Sequence, residues 1–145
     1  MNKSPIATLI ELTEKDVDEA AKLLGIAIRH QGETEQQLSL LEQYRNDYLD
    51  RMQQQLSNGL NVKQYMNFQA FIGKLDVAID GQKRIIQDAH YKVELARNHW
   101  QEHEKKRLSY NTLNDRAVKQ AHKTELKRDQ KQTDEQATRS FFYKR

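Results

Sequence analysis

The residues with the most obvious capacity for chemistry are His99, Glu102 and His103 in "HWQEH". Their spacing matches the H-x-x-E-H pattern of one class of zinc peptidases, with the two histidines one helical turn apart and able to share a metal. A catalytic zinc also needs a third protein ligand, an open coordination position and a pocket that excludes water. A helix with Trp100 in its seam offers no such pocket, so surface histidines are the preferred reading. No Gly-rich phosphate loop, nucleophile elbow or paired-carboxylate pocket is present. The acidic run "ELTEKDVDE" (11–19) reads as a solvated helix face placed to complement the positive end of the helix dipole. The chain contains no cysteine, which removes disulfides, thiolate zinc sites and thiol nucleophiles. The expectation is a protein that is not an enzyme and carries no cofactor and no metal.

The elements that would position these side chains follow from composition and periodicity. Among 145 residues, 31% are charged, five are glycine and one is proline. That balance suits long helices better than a globular core. A three-then-four spacing runs through Ile6, Ile10, Thr13, Val17, Ala20, Leu24, Ala27, Gln31, Thr34, Leu38, Leu41, Arg45, Tyr48, Met52 and Gln55. Ten of these fifteen positions are apolar, against 37% for the whole chain. This is a coiled-coil seam.

Ser4 and Pro5 mark its start as N-cap and first helical residue. "SNGLN" (57–61) supplies the turn, and the spacing resumes through Tyr65, Phe68, Ile72, Leu75, Ile79, Gln82, Ile86, Ala89, Val93, Ala96 and Trp100. A connection this short makes the helices antiparallel. The predicted fold is all-α: a long two-helix antiparallel coiled-coil hairpin whose second helix extends beyond the first at the C-terminus. Its expected bounds are helix 1 over about 5–57, a turn at 58–61, helix 2 over about 62–138 and a tail at 139–145, forming one coiled-coil domain. Folding about residues 59 and 60 places Tyr48 beside Phe71, Leu24 near Leu95 and Ile6 near Leu113. Gly25, Gly32, Gly73 and Gly81 fall inside helices, each costing about 1 kcal/mol relative to alanine. The N-terminus lacks the pattern of a signal peptide, and no run of about 18 apolar residues exists to span a membrane. The expected location is the cytoplasm.

Two features remain after the seam is assigned. Gln37, Leu41, Tyr44 and Tyr48 form one helical stripe, and Phe71, Leu75, Ala78 and Gln82 form another at the same spacing on the facing helix. Leu41, Tyr48, Leu75 and Gln82 belong to the seam, whereas Tyr44 and Phe71 lie beside it. Either the seam is broad enough to cover both rings, or they are exposed as interface anchors. The second feature is charge. The net charge of +3 conceals 10 acidic against 6 basic residues over 1–57 and 12 basic against 7 acidic over 101–145. Lys119, Lys123, Lys127 and Lys131 repeat every fourth residue on the expected overhang, where like charges oppose one another. The stripe is a solvated face, or it meets an acidic protein surface or nucleic acid. Nucleic acid is disfavoured because Glu125, Asp129, Asp134 and Glu135 dilute the field and no aromatic is interleaved for stacking.

With these features in place, the sequence resembles the FliJ family of the bacterial flagellar type III export apparatus. The resemblance runs through "EKDVDEAAKLLG" (14–25), "QYRNDY" (43–48), "NFQAFIGKLDVAI" (67–79) and "DQKQTDE" (129–135). It implies a stalk-like adaptor that promotes assembly of the hexameric export ATPase ring, couples that ring to the cytoplasmic domain of the transmembrane export gate and binds export chaperones. It also implies a location peripheral to the inner membrane, without direct membrane insertion. The gate-binding surface of such proteins falls here on Gln37, Leu41, Tyr44, Tyr48, Phe71, Leu75, Ala78 and Gln82, the last standing where the family often has histidine. The lysine stripe is the candidate contact for the ATPase ring or another acidic partner. The rival reading is a self-associating structural coiled coil in which the sparse layer of Gln31 and Thr34 and the overhang of the second helix pair between chains.

Overall fold

The structure, a computed structural model, describes residues 4–143. Two helices pack against each other: α1 spans Pro5–Ser57 and α2 spans Val62–Tyr143, with no strand among the described residues. The start of α1 is capped as its sequence predicts. Ser4 Oγ accepts the Ala7 amide at 3.3 Å, and its carbonyl accepts the Thr8 amide at 3.2 Å. Pro5 supplies the first helical residue, where no amide hydrogen is needed.

The turn also follows local rules. Gly59 adopts φ 89°, a left-handed conformation that lets the chain leave α1 without a Cβ clash. Asn61 then caps α2: its Oδ1 accepts the Gln64 amide at 2.8 Å, while Gln64 Oε1 accepts the Asn61 amide at 3.4 Å. This reciprocal pair satisfies two amides that a helix start would otherwise leave without partners.

Where a tail from residue 139 was expected, α2 continues to Tyr143. Nothing after Gly81 breaks it, since the rest of the sequence contains neither glycine nor proline. Thr133 and Thr138 return their hydroxyls to the carbonyls of Asp129 and Asp134 within the same helix, each at 2.9 Å. Lys144 and Arg145, the end of the expected tail, lie outside the described residues.

By packing, the chain resolves into two compact units. One comprises residues 19–101; the other joins the residues before 19 with those from 102 onward. In the first, the hairpin unit, the helices run antiparallel, with Tyr48 stacked on Phe71, Arg45 paired to Asp76 and Gln31 bonded to His90. Among the described residues, the seven buried apolar side chains all belong to this unit: Ala20, Met52, Ile72, Leu75, Ile79, Ala89 and Val93. Each lies on the predicted seam. Leu95, expected near Leu24, is half exposed, and Val93 and Ala96 turn inward instead.

The second, terminal unit is packed differently. Its one buried side chain among the described residues is Thr13, whose hydroxyl donates to the carbonyls of Leu9 and Ile10 at 3.0 and 2.9 Å. Leu113, expected opposite Ile6, is 49% exposed, while Tyr110 and Asn114 are half-buried. The inward positions of α2 here include His103, Glu104, Arg107, Tyr110 and Asn114, all of which carry polar groups. The first turn of α1 contains no acidic residue, so the 11–19 cluster lies beyond the reach of the helix dipole, contrary to expectation.

Candidate protein-docking site

The hairpin unit sorts the eight candidate gate-binding residues by depth. Tyr44 is 57% exposed and Phe71 41% exposed, whereas Leu75 and Gln82 are buried. Gln37 and Ala78 are exposed, and Leu41 and Tyr48 are half-buried. A seam residue faces the opposite helix, and the residue three or four positions away falls on the flank. That geometry separates Tyr44 from Tyr48 and Phe71 from Leu75. Both rings are exposed beside the seam, Phe71 while stacked on the seam residue Tyr48.

The aromatic part of the site is stiff. The Tyr48 ring stacks on Phe71 with centroids 4.2 Å apart and meets Phe68 edge-on at 5.6 Å. Tyr48 thus supports Phe71 from below and limits its freedom before any partner arrives, which reduces the ordering cost of binding. The polar part is built around Gln82. Its buried amide nitrogen donates to the Thr34 carbonyl at 2.9 Å and to Gln37 Oε1 at 3.2 Å. Thr34 turns its own hydroxyl back to the Gln31 carbonyl at 2.7 Å. Across the other edge of the seam, Arg45 Nε donates to Asp76 Oδ1 at 2.5 Å.

Two exposed residues that the sequence reading omitted extend this surface. Ile85 follows Phe71 and Ala78 at the same seven-residue interval and is 49% exposed. Leu40, 48% exposed, lies one turn from Tyr44 on α1. The heptad interval of the Phe71 stripe was the signal that reaches Ile85.

In the terminal unit, Lys119, Lys123, Lys127 and Lys131 are all exposed, as is every described residue from Asp115 onward. Gln130 donates to Asp134 Oδ1 at 3.1 Å on the same stretch. Closer to the start of this unit's α2 segment, Arg107 pairs with Glu104. The hydrogen bond from Arg107 holds the Glu104 carboxyl below its ordinary range, against desolvation that pushes it up. The Arg107 guanidinium is held above its ordinary value by Glu104, with a smaller contribution from Glu14. His99 is exposed and His103 half-buried. Among the described residues, no group of three or more histidine, aspartate or glutamate side chains is arranged to hold a metal.

These surfaces can dock proteins through aromatic, amide and cationic contacts. Comparison with known proteins places the chain in a family. The model of the flagellar FliJ protein family matches residues 2–145. The flagellar FliJ protein of Salmonella typhi is 35% identical over 139 residues, covering 96% of this chain and 95% of that one. Its counterpart in Escherichia coli (strain K12) is 34% identical over the same length, with the same coverage. In fold, the chain is similar to a solved structure described as a YscO homolog, CT670, from Chlamydia trachomatis. That match has a TM-score of 0.68 and 19% identity, and covers 95% of this chain and 94% of that one. Two packed helices, a seam that leaves Tyr44 and Phe71 on its flank and a match along nearly the whole sequence lead to one assignment: the chain belongs to the flagellar FliJ protein family.

Proposed function

We propose that this protein is a non-enzymatic adaptor of the bacterial flagellar type III export apparatus. It promotes assembly of the export ATPase ring, couples the ring to the cytoplasmic domain of the transmembrane export gate and binds export chaperones. It acts in the cytoplasm at the inner-membrane export apparatus. Family membership supports the setting, and the observation that carries the gate contact is the pair of exposed rings, Tyr44 and Phe71, on a surface stiffened from within. Exposed aromatic side chains are favoured interface anchors. The four exposed lysines of α2 offer a separate cationic face to the ATPase ring or another acidic partner. No described helix is long and apolar enough to cross a membrane, which is compatible with a peripheral position.

The self-associating alternative would pair both the Gln31 and Thr34 layer and the overhang of α2 between chains; against its first half, Gln31 bonds His90 at 3.1 Å within this chain and the Thr34 carbonyl accepts from Gln82.

A pull-down from host lysate at physiological salt tests the proposal, with wild type run beside the double variant Tyr44→Ala, Phe71→Ala. Both baits should recover the export ATPase, and only wild type should recover the gate. Recovery of neither by a bait that sediments as a stable oligomer would replace the adaptor with the structural coiled coil.

A further inference from the structure

Along the hairpin from the exposed rings, the hydrogen bonds of Gln82 fix the chemical polarity of a neighbouring contact. A glutamine side chain has a donor end and an acceptor end of nearly the same shape, so a partner usually finds whichever it needs. Here one end is chosen by a group that cannot flip. The Thr34 backbone carbonyl only accepts, so the Gln82 end facing it is the amide nitrogen, at 2.9 Å. The same nitrogen lies 3.2 Å from the Gln37 side chain, so the Gln37 atom facing it must be the carbonyl oxygen. Gln37 is exposed, and its oxygen is engaged inward. What it turns outward is an NH₂ group.

We propose that Gln82 is a positioning residue which, through the Thr34 carbonyl, orients Gln37 so that its NH₂ group is offered as a hydrogen-bond donor on the Tyr44 and Phe71 surface. The partner must then present an oxygen acceptor there, either a main-chain carbonyl or a carboxylate. The inference rests on the gate-binding reading for the identity of the partner, but not for the orientation of the amide. Gln82 itself is 8% exposed and has both N–H groups committed, so it acts on the partner through Gln37.

The test has one arm without a partner and one with it. In nitrogen-resolved NMR of the full chain, the Gln82 side-chain NH₂ should exchange slowly with solvent and the Gln37 NH₂ rapidly. Gln82→Met, close in length but without a donor, should shift the Gln37 side-chain resonances while leaving helicity unchanged. A Gln82 amide that exchanges as fast as that of Gln37 would overturn the orientation. Should Gln82→Met fail to fold, the two exchange rates in wild type still decide this arm.

With the purified cytoplasmic domain of the export gate, Gln37→Glu presents an acceptor where a donor is required. It should weaken binding about three- to tenfold more than Gln37→Met does. Equal or tighter binding by Gln37→Glu would overturn the donor assignment. If Tyr44→Ala with Phe71→Ala leaves gate binding intact, the gate reading fails while the NMR arm still judges the amide. A charged variant separates the acceptors: Gln37→Lys should gain affinity in a salt-dependent way where the partner offers a carboxylate, and not where it offers a main-chain carbonyl.

Discussion

Tyr44 and Phe71 look equivalent in sequence, yet their surroundings give them different energetic roles. Phe71 is stacked on Tyr48, so Phe71→Ala forfeits an aromatic pair worth about 0.5–1.5 kcal/mol beyond the area it covers. Tyr44 is more than half exposed and should change stability by no more than about 0.5 kcal/mol on truncation to alanine. Urea denaturation of the two single variants checks this ordering, and equal losses would mean that Tyr44 packs on the seam. Glu104 makes a prediction in pH. Its carboxyl is depressed in the folded chain, so the stability it contributes is present above the ordinary carboxylate range and is lost as pH falls through the lowered value. Acid titration followed by circular dichroism should show this loss in wild type and not in Glu104→Gln, because the glutamine has no proton to gain.

At the scale of the helices, the glycines divide by backbone conformation. A Cβ added at Gly32 or Gly73 would meet nothing within 4 Å, and both positions are exposed within helices. Gly32→Ala and Gly73→Ala should each stabilise the protein by about 0.5–1 kcal/mol, chiefly by restricting the unfolded chain. Gly59→Ala should do the reverse by about 1–2 kcal/mol, since φ 89° is unfavourable for a residue with a Cβ despite the open space around it. Thermal melts of the three variants would display the contrast. A rise in melting temperature for Gly59→Ala would show that the turn relaxes away from this conformation. The terminus of α2 carries a related lesson: its sequence is too polar to predict packing, but it lacks any residue that stops a helix, and the helix runs on to Tyr143.

Across the molecule, buried apolar side chains are concentrated in residues 19–101, while the terminal unit contributes Thr13 alone to the buried set among described residues. Opening energies follow such differences in burial. Hydrogen exchange read by mass spectrometry should therefore find the strongest protection around Ile72–Val93 and rapid exchange through 115–143, where every described side chain is exposed. Uniform protection along α2 would contradict this division and imply support for the exposed stretch in solution.

The helices, their caps, the turn and the seam were legible in the amino-acid sequence because each depends on local rules: a serine before proline, an asparagine before a glycine, and apolar residues every three or four positions. Membership of the FliJ family was legible for a similar reason, since the matching segments lie along the chain. Tertiary structure decided how deep each patch residue sits. Periodicity groups Leu75 and Gln82 with Phe71 and Ala78, but a helical stripe gives direction without distance from the neighbouring helix. The packed pair places the first two in the core and leaves the others outside. It also decided the orientation of Gln37, because that depends on a main-chain carbonyl at Thr34 and an amide at Gln82, 48 positions apart in sequence and brought within 2.9 Å by the antiparallel packing of α1 and α2.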